Sequence, residues 1–428
     1  MEKIAIITLG CKTNQYESQA IGEILEKEGY EVIYHLDEAD IYIINTCAVT
    51  NEAERKSRQF ISKLVKQNPK CKIFVCGCAS QNNQEQFKKL PNVKYVIGTN
   101  GRHLLLEKIT NKKAGKPPKS ADVYEDLHIT KPVNSRVYVK IQDGCNRFCS
   151  YCLIPYLRGR SRSRDIISIL QEIDTLKKAG AKEIVLTGID ISDYQIDDQP
   201  ALLDLLRQID TFNVRYRLGS IEPNLLTEEF ILQLKTLNNF CPHFHISMQS
   251  GCTETLQRMN RHYTAEFFTE RIKLIRKHFK NPAITTDVIL GFPSETDKEF
   301  KTTLKTIKKI AFSEMHIFPY SRRAGTTADK LLSLKQNSFE LVDPKIVKQR
   351  IKTALAFAQK FKLKYLKKQK GKILSAVIEE QEDKYLVGTS ENYVKVYIEA
   401  NCQNLLNTIQ KVNVLKPFKD GVLGILEE

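Results

Sequence analysis

The chain has 428 residues, 42% hydrophobic and 27% charged, enough for two to four domains with real cores at roughly 100–200 residues each. Lys plus Arg number 66 against 50 Asp plus Glu, a net charge of +16, which favours an anionic partner, nucleic acid foremost. No run of about 18 uncharged apolar residues occurs. The Met1-Glu2-Lys3-Ile4 start lacks the layout of a secretory signal, so a cytoplasmic location with no membrane partner is expected. Eleven cysteines, an odd number, argue against a disulfide framework and for metal or redox chemistry.

In chain order, residues 4–9 read as a buried strand and 18–29 as a helix. Strands at 41–44, 72–75 and 94–97 follow, with a polar helix over 51–67 between the first two. Strand–helix alternation predicts a parallel α/β sheet domain over 1–110. Residues 111–134 hold Lys-Pro-Pro-Lys, a second Lys-Pro and no periodicity, and read as a linker. Alternation resumes with strands at 137–141, 183–186, 214–218, 243–248, 284–290 and 315–319. Six strand–helix units fit a partial (β/α) barrel over 135–343. Val347, Ile351, Leu355, Ala358, Phe361 and Tyr365 then recur every three to four residues. Residues 345–372 carry 11 Lys or Arg and no acid, so 344–369 is a basic amphipathic helix. Short strands after Gly371 predict a small antiparallel β-barrel over 370–428.

Two sets of cysteines carry the chemistry. Cys145-Asn-Arg-Phe-Cys149-Ser-Tyr-Cys152 places three thiols in one loop after the first barrel strand, at the end where such barrels hold their active sites. Three thiolates can hold three irons of a [4Fe–4S] cube and leave the fourth open. A structural zinc site would want a fourth ligand, and none lies nearby. Cys11, Cys47 and Cys78 are far apart in sequence. Each lies just past the carboxyl end of an expected parallel strand, and such ends form one ligand crevice. Buried inert thiols at strand ends are the plainer alternative for this second set. Cys71, Cys241, Cys252 and Cys402 fit no motif.

The C-x3-C-x2-C loop, with Tyr151 before the last cysteine, resembles the radical S-adenosylmethionine superfamily. Gly10-Cys11-Lys12-Thr13-Asn14-Gln15-Tyr16-Glu17-Ser18, Asn45-Thr46-Cys47 and Gly77-Cys78-Ala79-Ser80-Gln81 add a likeness to its methylthiotransferase family. So do Arg158-Gly159-Arg160-Ser161-Arg162-Ser163-Arg164, Leu186-Thr187-Gly188-Ile189-Asp190, Gly219-Ser220-Ile221-Glu222-Pro223, His245-Ile246-Ser247-Met248-Gln249 and Pro319-Tyr320-Ser321-Arg322-Arg323. The C-terminal segment is similar to the TRAM barrel of RNA-modifying enzymes.

The resemblance implies two [4Fe–4S] clusters and S-adenosyl-L-methionine as cofactors. Cys145, Cys149 and Cys152 would hold the radical cluster, and Cys11, Cys47 and Cys78 an auxiliary one. Cys76, one pleat from Cys78, is the alternative it displaces. Tyr151, Gly188, Glu222 and Gln249 are the expected S-adenosylmethionine contacts. Arg322, Arg323, Lys360, Lys364 and Lys368 are the expected RNA contacts, with His243 and His245 packed rather than ligating. One S-adenosylmethionine would methylate a sulfur on the auxiliary cluster; a second would yield the radical that activates an unreactive C–H bond. The motifs look most like the branch that adds a methylthio group to C2 of N6-threonylcarbamoyladenosine beside the anticodon of tRNA. Asp190-Ile-Ser-Asp-Tyr194 departs from that branch's usual His-Leu-Gly run. Isopentenyladenosine in tRNA, an aspartate of a ribosomal protein, another radical RNA modification, and a non-catalytic RNA-binding iron–sulfur protein remain the alternatives. The proteins that donate electrons and sulfur cannot be read from the sequence.

Overall fold

A computed structural model describes all residues except 49, 113–122, 335–338, 401–402 and 428. Cys402 and residues 113–122 of the expected linker lie outside the described residues.

The N-terminal unit is a five-stranded parallel sheet. Its strands are β1 (Lys3–Thr8), β2 (Glu31–Ile33), β3 (Ile41–Thr46), β4 (Lys72–Gly77) and β5 (Val93–Val96), in the order β2-β1-β3-β4-β5. β1 and β3 read as continuous apolar runs because helices cover both faces. Helix α1 (Lys12–Lys27) leaves β1, α2 (Asn51–Gln67) leaves β3, and the short α3 (Cys78–Asn82) leaves β4. α1 starts at Lys12, well before the apolar periodicity begins. Its first turn, with Thr13, Asn14 and Glu17, is polar yet buried. The edge strand β2 has only three residues, too few for an alternating pattern to register.

The central unit supplies six parallel strands: β6 (Arg136–Lys140), then Glu183–Thr187, Arg215–Leu218 (continued as Ser220–Ile221), His243–Ile246, Ala283–Leu290 and Glu314–Pro319. They form an open barrel whose lateral gap lies between the first and last. α1 packs beside β6 at that gap. The segment from residue 123 to 134 carries no regular structure but is packed, not a free linker. Leu127 and Ile129 are buried. The Tyr16 hydroxyl donates to the Leu127 carbonyl, Ile129 N–H donates to Glu172 at 2.6 Å, and Thr130 N–H to Glu23 at 2.6 Å. Its partners come from distant elements, so no local pattern reveals them.

The basic helix Pro344–Lys367 runs along the last barrel strand. At about 1.5 Å per residue it spans roughly 36 Å. Near its start Val347 fills the space beside Gly291, and Arg350 donates to the Glu295 carboxylate at 2.8 Å and to Asp297 at 2.7 Å. Ile351, Ala354, Phe357, Ala358 and Phe361 face the central core, and Leu366 enters the core of the C-terminal barrel. That barrel is closed, with strands Ile373–Glu382, Tyr385–Ser390, Lys395–Glu399, Ile409–Phe418 and Gly421–Leu426. It is not wholly antiparallel. The fourth strand pairs with the first, so the fifth closes the barrel beside the third in parallel.

The small barrel sits under the amino ends of the central strands, opposite the cysteine loop. Arg215 donates to the carbonyls of Ser375 at 2.7 Å and Thr389 at 2.9 Å. The His243 ring stacks on Tyr393, centroids 3.9 Å apart.

Candidate active site

Cys11, Cys47 and Cys78 follow β1, β3 and β4, three adjacent strands, and their carboxyl ends bring the cysteines together. Two glycines make the approach possible. A β-carbon on Gly10 (φ +140°) would lie 2.9 Å from Cys47 Cβ; one on Gly77 (φ +102°) would lie 2.4 Å from the Thr46 carbonyl oxygen. Asn14 knits the set. It accepts from the Cys11 thiol at 3.6 Å and donates to the Thr46 carbonyl at 3.1 Å. Burial raises the Cys78 thiol to about 11, and Cys11 nearby adds to the rise. Cys76 is buried in the apolar layer with Ile4, Ile6 and Phe74, on the opposite side of the strand from Cys78's packing.

The second set sits in the loop after β6. Each sulfur accepts one hydrogen bond: Cys145 from Arg147 N–H at 3.4 Å, Cys152 from Ile154 N–H at 3.4 Å, and Cys149 from Arg261 Nη1 at 3.3 Å. Burial lifts Cys145 and Cys152 to about 12. Cys149, and Cys78 of the other set, add to the rise at Cys152. These thiols resist ionising on their own, and coordination to a metal removes that resistance. Among the described residues no three such donors stand close enough to share one metal ion. A cube asks for less, because each thiolate binds a different iron. Two sets of three cysteines, with donors aimed at the sulfurs, fit two cubes.

A cavity of about 180 Å³ is lined by Cys152 of the second set and by residues just past Cys47 of the first. Ala48 and Thr50, just past Cys47, form one wall; Tyr151, Cys152, Leu153 and Ile154 form another. Gln249, Asp287, Ile289, Phe318 and Tyr320, from the carboxyl ends of barrel strands, complete it. Gln249 holds a left-handed backbone (φ +59°) and is pinned to the next strand, donating its N–H to the Asp287 carbonyl at 2.9 Å. The Tyr320 hydroxyl is buried and has no hydrogen-bond partner among the described residues.

The expected contacts divide. Tyr151 and Gln249 line this cavity. Gly188 and Glu222 do not. A β-carbon on Gly188 would lie 2.9 Å from Gln142. Glu222 accepts from Arg261 Nη2 at 2.6 Å, on the Cys149 side. Lys360, Lys364 and Lys368 are exposed, one turn apart on one helix face, and Lys364 and Lys368 share a groove with Arg276. Arg322 is exposed and pairs with Asp329 at 2.6 Å. Arg323, expected on the RNA face, is instead buried and paired with Glu54 of α2 at 2.9 Å. There it ties the N-terminal unit to the barrel. His243 and His245 are hydrogen-bonded through Thr285, at 3.0 and 2.9 Å.

The sequence reading gave no role to a buried charge network between the two units. Glu17 of α1 forms ion pairs with Arg102 at 2.6 Å, Lys140 at 2.8 Å and Arg158 at 2.9 Å. Asp143 accepts from Lys140 at 2.6 Å and Arg158 at 3.0 Å. Burial alone would raise the Glu17 carboxyl; Arg102, Arg158 and Lys140 hold it well below the usual carboxylate range. Arg158 and Glu17 stand in the quoted motifs, which was the only available signal.

Residues 3–98 match the sequence profile of "Uncharacterized protein family UPF0004", and residues 139–307 that of the "Radical SAM superfamily". The chain is 37% identical to the threonylcarbamoyladenosine tRNA methylthiotransferase MtaB of Bacillus subtilis, over 98% of this chain and 96% of that protein. It is 32% identical to the tRNA-2-methylthio-N(6)-dimethylallyladenosine synthase of Pelotomaculum thermopropionicum, over 100% and 98%. Among solved structures, the radical S-adenosylmethionine methyltransferase TsrM from Kitasatospora setae shares the fold, with TM-score 0.53 and 14% identity over 78% of each chain. With both profiles matched in order and relatives aligned end to end, the chain belongs to the radical S-adenosylmethionine methylthiotransferase family, an enzyme family whose cofactors are [4Fe–4S] clusters and S-adenosylmethionine.

Proposed function

We propose that this enzyme adds a methylthio group to C2 of N6-threonylcarbamoyladenosine in tRNA. The observation that carries the reading is the cavity walled on one side by the segment after Cys47 and on the other by the Cys152 loop. Cys145, Cys149 and Cys152 would hold one cube, and Cys11, Cys47 and Cys78 the other. When bound, these clusters and S-adenosylmethionine supply a radical able to remove an unacidic hydrogen and a sulfur to replace it. The chain's own residues do the rest. Tyr151 and Ile289 give the reactive site an apolar wall, with Phe318 at its exposed rim. The unpartnered Tyr320 hydroxyl offers a hydrogen bond to a base held in the cavity. The exposed Lys360, Lys364 and Lys368 supply a phosphate-facing row, each neutralised phosphate releasing a counterion.

The choice of modified adenosine draws support from Lys12, beside Cys11. Its ammonium makes no hydrogen bond or ion pair among the described residues; burial, with Arg217 and Arg136 nearby, lowers it to about 8, against the pull of Glu183 and Asp287, so an incoming anion would relieve it. A threonylcarbamoyl group brings a carboxylate that this cation would receive; an isopentenyl group brings none. The apolar lining from Leu153, Ile289 and Phe318 favours the isopentenyl reading. Mass spectrometry of tRNA nucleosides from cells with and without the gene separates them. Loss of 2-methylthio-threonylcarbamoyladenosine, with its precursor accumulating, is expected. Loss of the isopentenyl counterpart instead would overturn the proposal.

A further inference from the structure

Arg158 closes the short helix Ile154–Arg158, six residues past Cys152, and its guanidinium is wholly buried. It crosses from the barrel into the N-terminal unit and uses every face of its fork. Nε donates to Cys78 Sγ at 3.3 Å. Nη2 donates to Asn14 Oδ1 at 3.0 Å and Glu17 Oε2 at 3.1 Å; Nη1 donates to Glu17 Oε1 at 2.9 Å and Asp143 Oδ1 at 3.0 Å. Asn14 in turn touches the Cys11 thiol and the Thr46 carbonyl that precedes Cys47. One side chain just past the radical loop therefore touches Cys78 directly, reaches Cys11 through Asn14, and through Asn14 meets the carbonyl that precedes Cys47.

A domain-gluing role alone accounts for the two carboxylates, which neutralise a cation that would otherwise be costly to bury. It does not account for the bond to sulfur. An apolar residue would pack against Cys78 as well, and only a planar fork serves two carboxylates, an amide and a thiol together. We propose that Arg158 is a positioning residue of the auxiliary site: it fixes the Cys78 sulfur, withdraws charge from it, and sets the spacing between the two cysteine sets. This rests on the reading of Cys11, Cys47 and Cys78 as ligands of a second cube. Hydrogen bonds to ligating sulfurs are among the levers that set a cluster's reduction potential. Removing this one shifts the auxiliary potential downward.

The test uses the full-length enzyme, loaded anaerobically, in a Cys145→Ala, Cys149→Ala, Cys152→Ala background that leaves only the auxiliary cluster. Potentiometric titration followed by electron paramagnetic resonance compares Arg158→Met and Arg158→Lys with Arg158. A more negative midpoint and altered g-values are expected for Arg158→Met. Arg158→Lys keeps a cation for Glu17 and Asp143 but cannot also hold the sulfur, so it shifts in the same direction and serves alone if the Met variant fails to fold. Unchanged potential and g-values in a folded variant would overturn the role. If the background protein binds no iron, or Cys11→Ala, Cys47→Ala, Cys78→Ala leaves the iron content of the parent enzyme unchanged, the second-cube reading itself falls, and the inference with it.

Discussion

Lys12 and Arg158 are both cations, and their surroundings assign them opposite tasks. Arg158 is saturated by protein acceptors, so it serves the architecture of the site. Lys12 has no such acceptors among the described residues, and the proposed function gives its charge to the substrate's carboxylate. A hydrogen bond to a charged group is worth about 1.5–3 kcal/mol, and about 1.4 kcal/mol is tenfold in affinity. Lys12→Met is therefore expected to weaken binding of a threonylcarbamoylated anticodon stem-loop by roughly tenfold or more, leaving an isopentenylated one unaffected. Competition binding with the two RNAs measures it; equal losses for both would remove Lys12 from substrate choice. The spacing and strand-end placement of the cysteines are local facts that the sequence shows. The contacts around them were not legible. Arg158, Asn14 and Glu17 lie in helices and loops whose side chains could equally face solvent. Arg323 shows the error in reverse, a basic residue read as surface that the fold buries against Glu54.

Among the elements, strands were legible to within one or two residues where both faces are covered, as at β1 and β3. Wherever tertiary contacts replace periodicity, the sequence was silent. The first turn of α1 is polar because it packs into a charge network, and residues 123 to 134 are held by side chains from α1 and from helix Ile166–Lys178. The basic helix was legible in its extent and charge, but its apolar stripe only in part: Leu355 is exposed, and Ala354 and Phe357 pack on the core in its place. Its exposed lysines make a salt-dependent prediction. Lys360→Ala, Lys364→Ala, Lys368→Ala together should reduce the slope of log affinity against log salt by roughly 0.7–0.9 per lost phosphate contact. Filter binding of tRNA at several salt concentrations reads this, and an unchanged slope would place the RNA elsewhere.

For the molecule as a whole, the interface of the two large units is built on ionised groups without access to water. Glu17 has its folded value held below 4.5, and Asp143 below 3.8. A depressed carboxylate contributes stability above its unfolded value and loses it as pH falls toward the folded one. Removing Glu17 leaves Arg102, Lys140 and Arg158 short of a counter-charge, which costs about 3–5 kcal/mol for a buried pair. Glu17→Gln is expected to melt lower than the parent at pH 7, with the gap narrowing below pH 4.5. Thermal unfolding across that range measures it, and a gap independent of pH would show that Glu17 acts through shape alone.

The long helix that lies along the last strand also decides what can be trimmed. It caps the apolar edge with Ile351, Phe357 and Phe361 before handing Leu366 to the small barrel. A version ending at residue 343 would bare that seam, so it should clump during purification instead of yielding a tidy catalytic fragment. The C-terminal helix and barrel are, in this sense, a keel: sawing them off does not lighten the vessel but opens the hull.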